Sequence, residues 1–240
     1  MFDWLKNKSV VSSKSEIQKA NCPYCSFEMD KMPTRKQKCK SCDKEYLVRT
    51  HYFTKEKIIL TDKEAISYDR EKEKYYTDKS FIDGLKWLIE ASGQSTDKLI
   101  KKTQEDLTKK FDQNASLGDV AWSIANKLIV EAIKKNDIGS LKGIYFQMAL
   151  YLYYSGKDYR NIKAKLYELD LMDYQKSDVV KKVEVLATNE SCEHCKLLNG
   201  VKCTIKEAIE KKILPCRECN YQMDKKSVLG WCRCCYALCV

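Results

Sequence analysis

The chain has 240 residues, with 44 lysines and arginines against 34 aspartates and glutamates, a net charge of +10. That length holds one or two domains with a real helical core, and the moderate positive excess suits nucleic acid or an acidic surface without being diagnostic of either. It contains no apolar run of about eighteen residues, the length a membrane-crossing helix needs, and its 8 glycines and 3 prolines favour a mostly helical body.

Residues 1–20 carry neither the apolar stretch nor the small-residue cleavage site of a signal peptide, and read as a charged, flexible leader. The segment CPYCSFEMDKMPTRKQKCKSCDKEYLVR holds Cys22 and Cys25, then Cys39 and Cys42, a complete four-thiolate set. Two intervening residues let one tight turn aim both sulfurs at a single ion, and each pair is followed by a strand-like run, as in a zinc ribbon over 21–54. A segment this small buries too little apolar surface to fold alone, so the metal supplies its stability.

The stretch between these knuckles is basic, with Lys31, Arg35, Lys36, Lys38 and Lys40. Arg35, Lys36 and Lys38 are candidate phosphate contacts, and Tyr24, Tyr46, Arg49, His51 and Tyr52 are candidates to surround them or stack on bases. The plainer reading, a solvated hairpin tip whose aromatic neighbours fill the ribbon's own core, is favoured. His51 reads as a surface residue.

Residues 55–78 form a charge-dense linker in which KIIL can be a last strand and DREKEK a solvated connector or exposed helix. From about 79 to 176 the helical period takes over. Phe81, Ile82, Leu85, Leu88 and Ile89 mark one apolar face, and Leu99, Thr103, Leu107 and Phe111 a second. Val120, Ile124, Leu128 and Ala132 follow a cap at Asp119. A fourth face has Leu141, Tyr145, Met148 and Leu152, and a fifth Ile162, Leu166 and Leu169 after a cap at Asp158. Five amphipathic helices on short loops read as a bundle.

Residues 177–240 hold nine of the thirteen cysteines. A strand over 179–187 leads to Cys192 and Cys195, an Asn199-Gly200 turn, and a Thr204/Glu207 capping box opening a helix over 205–212. Cys216 and Cys219 follow, then Cys232, Cys234, Cys235 and Cys239. Spacing alone favours Cys192, Cys195, Cys216 and Cys219 as one zinc site. Cys203, Cys235 and Cys239 read as bystanders, and His194 as an exposed turn residue.

Cys192, Cys195, Gly200, Leu214-Pro215 and Cys232-Arg233-Cys234, in that order, resemble the C-terminal module of Mu-type phage minor head (head morphogenesis) proteins. That family usually has a His between the Pro and the Cys-Arg-Cys; this chain has Cys216 and Cys219, and an insertion before GWCRC. The resemblance implies a phage or prophage origin, an assembly role, and a treble-clef-like site. It takes Cys192 and Cys195, one thiolate from the Pro-side pair and one from Cys232 or Cys234; the combined reading selects Cys219 and Cys232. The wording CPxC…KxPxRKxxCxxC…VRT of the N-terminal segment likewise resembles zinc ribbons of uncharacterised phage and prophage proteins.

The expected fold is therefore mainly α with small β zinc modules: an N-terminal zinc ribbon, a central helical bundle and a C-terminal treble-clef-like module, with two or more structural zinc ions. Only His51 and His194 are present, with no glycine-rich phosphate loop, nucleophile elbow or paired-carboxylate constellation. A zinc saturated by thiolates has no open position for water. The expectation is a non-enzymatic zinc-binding protein of phage or prophage type. It would bind protein or nucleic acid, in head assembly, with no membrane and no small-molecule substrate, in the host cytoplasm or the virion. A zinc-ribbon DNA- or RNA-binding regulator is the alternative, and a nuclease-like enzyme the weaker one.

Overall fold

The computed structural model describes residues 20–176, 180–219 and 233–239. Nearly all of the leader, and Cys232, lie outside them. The chain divides into two compact units, Met1–Tyr76 and Thr77–Val240.

In the first unit, β1 (Ala20–Asn21) and β2 (Glu28–Met29) form a short antiparallel pair. A second sheet runs in the order β3 (Gln37–Lys38), β4 (Glu45–Thr50), β5 (Lys57–Leu60), with Gln37 opposite Tyr46 and Val48 opposite Ile59. The fully buried centre is Cys22, Cys39 and Tyr46, flanked by Tyr24, Met29, Cys42, Val48 and Ile59. Two of these three central residues are thiols, so this centre buries little apolar surface.

Residues 55–78, read as a charged linker, are strand β5 and the first part of a long helix, α1 (Asp62–Ala91). The helix starts well before 79 because its charged residues are good helix formers, while Ala65 and Tyr68, three apart, supply the buried contact. Its N-terminus is a reciprocal cap: Thr61 Oγ1 accepts the Glu64 amide at 3.2 Å and the Glu64 carboxylate accepts the Thr61 amide at 2.8 Å. Those hydrogen bonds hold the Glu64 carboxyl below its usual range. Tyr68 then locks the β4–β5 hairpin, its hydroxyl donating to the Thr50 carbonyl and accepting the Tyr52 amide.

The second unit contains the rest of α1, then α2 (Thr96–Phe111), α3 (Leu117–Lys134), α4 (Ile138–Tyr154) and α5 (Arg160–Gln175). The predicted faces of α1 and α3 are buried as read, from Phe81 to Ile89 and from Val120 to Ala132. Ser116, not Asp119, is the N-cap of α3; Asp119 returns the hydrogen bond three residues on. On α4 the buried position is Ile144 rather than Tyr145, and on α2 Phe111 is 60% exposed. On α5 the buried residues are Lys163, Tyr167, Leu169 and Leu171 rather than Ile162 and Leu166. That helix is covered on two sides, by α4 and by the C-terminal elements, so a single-face pattern misplaces its core.

Those elements are a sheet in the order β7 (Lys202–Thr204), β6 (Lys182–Leu186), β8 (Cys235–Cys239), with short helices α6 (Glu193–Leu197) and α7 (Ile205–Lys211). Tyr167 and Leu171 of α5 share one core with Val183, Val185, Cys195, Ile205, Leu214 and Tyr236. Residues 79–176 and 177–240 therefore belong to one compact unit. No helix among the described residues is long and apolar enough to cross a membrane.

Candidate metal centres

The two N-terminal knuckles are copies of one turn. Cys22 N donates to Phe27 O at 2.9 Å and Ser26 N to Cys22 O at 2.9 Å; Cys39 N donates to Lys44 O at 2.9 Å and Asp43 N to Cys39 O at 3.0 Å. The residue after each second cysteine, Ser26 or Asp43, takes a left-handed φ of 58° or 61°. Within each turn an amide points at the leading sulfur, Tyr24 N to Cys22 Sγ at 3.5 Å and Ser41 N to Cys39 Sγ at 3.4 Å.

All four sulfurs lie within 4.8 Å of one another, with Cys22 to Cys42 at 3.8 Å and Cys25 to Cys39 at 3.7 Å. A tetrahedron of sulfurs about 2.3 Å from a central zinc has edges of about 3.8 Å. A disulfide needs about 2.0 Å, and no described cysteine forms one.

The charges agree with this. A hydrogen bond from the Cys42 backbone, joined by one from Ser41, draws the Cys39 thiol down to about 7 against the opposing effect of burial. At Cys42 the Lys44 amide alone would lower the thiol. Burial and the sulfurs of Cys25, Cys39 and Cys22 together push it up to about 12.

A third turn repeats the backbone plan without cysteine. His51 N donates to Glu56 O at 2.7 Å, Lys55 N donates to His51 O at 2.9 Å, and Lys55 has φ 66°. The Thr54 amide donates to His51 Nδ1 at 3.0 Å, where the other turns use sulfur. His51 is half-buried, and its ring stacks on Tyr52 at 5.0 Å. The sequence carried no signal for this turn, because His51 and Thr54 do not look like a ligand pair.

In the second unit, the sulfurs of Cys192, Cys195 and Cys219 lie within 4.8 Å of one another, with Cys192 to Cys219 at 3.7 Å. Cys192 caps α6 and Cys195 lies in its first turn. Cys216 is outside this three-sulfur set and packs against the module's apolar core. Cys234 is buried, its Sγ 3.5 Å from Ser191 Oγ. Cys203 is also buried, which pushes its thiol up, and Cys239 lies 3.7 Å from the Glu184 carboxylate. His194 pairs with Glu218 at 3.2 Å on the surface.

Arg35, Lys36 and Lys38 are exposed, as are Lys31 and Lys40. Lys36 is paired with Glu45 at 2.7 Å. Three of the residues expected around them are engaged elsewhere: Tyr46 is 1% exposed, Arg49 pairs with Asp69 at 2.8 Å, and the Tyr52 ring lies 4.9 Å from that of Tyr75, tilted by 34°. His51 and Tyr52 follow the far end of β4 from its pairing with Lys38, so these two rings are not beside the exposed basic residues.

No protein-family model, curated protein or solved structure matches this chain.

Proposed function

We propose that this chain is a non-enzymatic zinc-binding protein that works by binding a macromolecule, with an ion at each cysteine cluster acting as a structural cross-link. The observation that carries this reading is the gathering of the Cys22, Cys25, Cys39 and Cys42 sulfurs within 4.8 Å of one another, with Cys22–Cys42 at 3.8 Å and Cys25–Cys39 at 3.7 Å, about the edge length of a zinc–thiolate tetrahedron. Four thiolates fill the coordination of zinc and leave no place for a reacting water, so the ion would supply folding energy rather than chemistry. At the second cluster Cys192, Cys195 and Cys219 would hold the ion with one further ligand.

The likeness of the C-terminal module to phage minor head proteins supports an assembly role, with protein contacts through that module. Nucleic-acid binding is the second reading. It is favoured by five exposed basic residues and no acidic one over residues 31–40.

Elemental analysis of protein purified without chelator tests the foundation. Two zinc ions per chain are expected, with one lost on Cys39→Ser and the other on Cys195→Ser. Less than one zinc per chain overturns the reading.

A further inference from the structure

Between α5 and α7 the second unit keeps an open cavity of about 310 Å³. Ala164 and Glu168 stand four apart on α5, and Ala208 and Lys212 four apart at the end of α7, so each helix gives the gap one small residue and one charged residue. Two alanines where larger side chains would interlock leave the space unfilled. Leu171, Leu214 and Tyr236, each at most 5% exposed, complete the apolar wall. The volume falls at the lower end of the range for small-ligand sites, about 300–1,000 Å³.

Two polar groups of the lining are unmatched. The Tyr236 hydroxyl accepts the Leu214 amide at 3.0 Å, and no described residue accepts its proton. A buried hydroxyl ordinarily finds an acceptor, and one held inside the cavity would answer it. The neighbouring phenol makes no such demand, since Tyr167 donates to the Cys234 carbonyl at 2.6 Å. At the rim Lys165 is paired with Glu168 at 2.8 Å. Lys212 is exposed and has no carboxylate partner among the described residues, so the lining carries one net positive charge.

Apolar walls, a buried donor and a rim cation together suit an apolar body that ends in an anionic acceptor. A cationic ligand would meet Lys212, and a bare hydrocarbon would leave the Tyr236 proton unanswered. We propose that this cavity binds a small monocarboxylic acid, its apolar body between Ala164 and Ala208 and its carboxylate drawn to the Tyr236 hydroxyl and the Lys212 ammonium. Bound there, the acid bridges α5 and α7. None of the gathered sulfurs lines the cavity, except that Tyr167 and Leu214 border both regions, so the proposal stands apart from the metal reading.

The test titrates the full chain with octanoate and follows the Ile209 methyl resonances, which report on the α7 wall. A saturable one-to-one shift with a Kd of about 1 mM or tighter is expected, ordinary for a ligand of this size. Lys212→Met should weaken binding about three- to fivefold, the size of a partly exposed ion pair, and Lys212→Arg should restore it. Octanol, with the same body and no charge, should bind more weakly than octanoate by a similar factor. Ala164→Leu, at a half-buried helix position, should fill the space and abolish the shift. Should that variant not fold, the Lys212 pair and the octanol comparison carry the test. No saturable shift with octanoate at several times that concentration overturns the proposal. Binding that survives Ala164→Leu in the folded variant places the acid elsewhere and also overturns it. Equal affinity for octanol and octanoate reduces the site to an apolar gap and overturns the carboxylate assignment.

Discussion

The Tyr151 hydroxyl donates to the buried carboxylate of Asp78 at 3.0 Å, and both groups occupy the space that a side chain at Gly118 would need. A Cβ there would meet Tyr151 Oη and come within 2.6 Å of Asp78 Oδ1. Alanine ordinarily favours a helix over glycine by about 1 kcal/mol. Here that gain is opposed by overpacking of about 1–3 kcal/mol and by disturbance of a buried hydrogen bond. Gly118→Ala is therefore expected to lower stability in chemical denaturation. Gly143→Ala should cost less, because the ring it meets belongs to Trp87, which is 53% exposed and can swing away. Equal losses at the two positions would remove the argument.

The same pair sets a pH dependence. Burial, with the Asp78 charge beside it, raises the Tyr151 hydroxyl to about 12. Its unfolded value is about 10, so the folded state keeps a proton that the unfolded state releases. This contribution is fully present below about pH 10 and is lost as pH rises towards 12. Tyr151→Phe should flatten the fall in stability across that window relative to wild type; an unchanged slope would contradict it.

Much of the candidate site was legible in the sequence. Cys22, Cys25, Cys39 and Cys42 are brought together because a two-residue gap leaves a knuckle little other use. The capping box at Thr204 and Glu207 forms as read. What could not be read has physical causes. Cys216 and Cys219 have the same spacing as Cys192 and Cys195, yet only Cys219 joins that cluster, because spacing does not say which sulfur of a turn faces a distant pair. Helix α1 was seen from about 79, since its first half buries little beyond Ala65 and Tyr68. Lys163 and Tyr167 were missed because burial on α5 is decided by two neighbouring layers.

His51 offers a test of whether the third turn stands without metal. His51→Ala removes the acceptor of the Thr54 amide and the ring stacked on Tyr52. The expected loss is about 1–2 kcal/mol from the hydrogen bond and the ring contact. Zinc content should stay at the wild-type value, since all four sulfurs come from the other two turns. Loss of one zinc in the folded variant would show that the third turn belongs to the metal site after all.

Nucleic-acid binding, if the basic segment supports it, should be led by Arg35 and Lys38, because Lys36 is already held by Glu45 at 2.7 Å. Each phosphate contact removed lowers the salt slope by about 0.7–0.9. Arg35→Ala with Lys38→Ala should therefore flatten the slope by nearly two, and Lys36→Ala alone by less than either single change. Since stacking residues are engaged within the unit, little preference between base sequences is expected. Absence of binding at about 50 mM salt, where phosphate contacts are strongest, would remove this reading.

The ligand set of the C-terminal centre is the prediction with the sharpest alternatives. Cys192, Cys195 and Cys219 are already gathered, so serine at any of the three should release one zinc and leave the N-terminal ion in place. Cys216→Ser should keep both ions, since its sulfur is outside the three-sulfur set. The fourth ligand comes from the Cys-Arg-Cys segment in the combined reading, which selects Cys232. Cys234 is the competitor: it is buried beside the cluster, its carbonyl held by the Tyr167 hydroxyl at 2.6 Å and its sulfur 3.5 Å from Ser191 Oγ. The combined reading keeps Cys232 as the expected donor. Zinc stoichiometry across single Cys→Ser variants decides it. Loss of one ion in Cys232→Ser with both retained in Cys234→Ser is the expected result. The reverse would assign Cys234, and zinc loss in Cys216→Ser would restore the two matched knuckles that spacing alone favours.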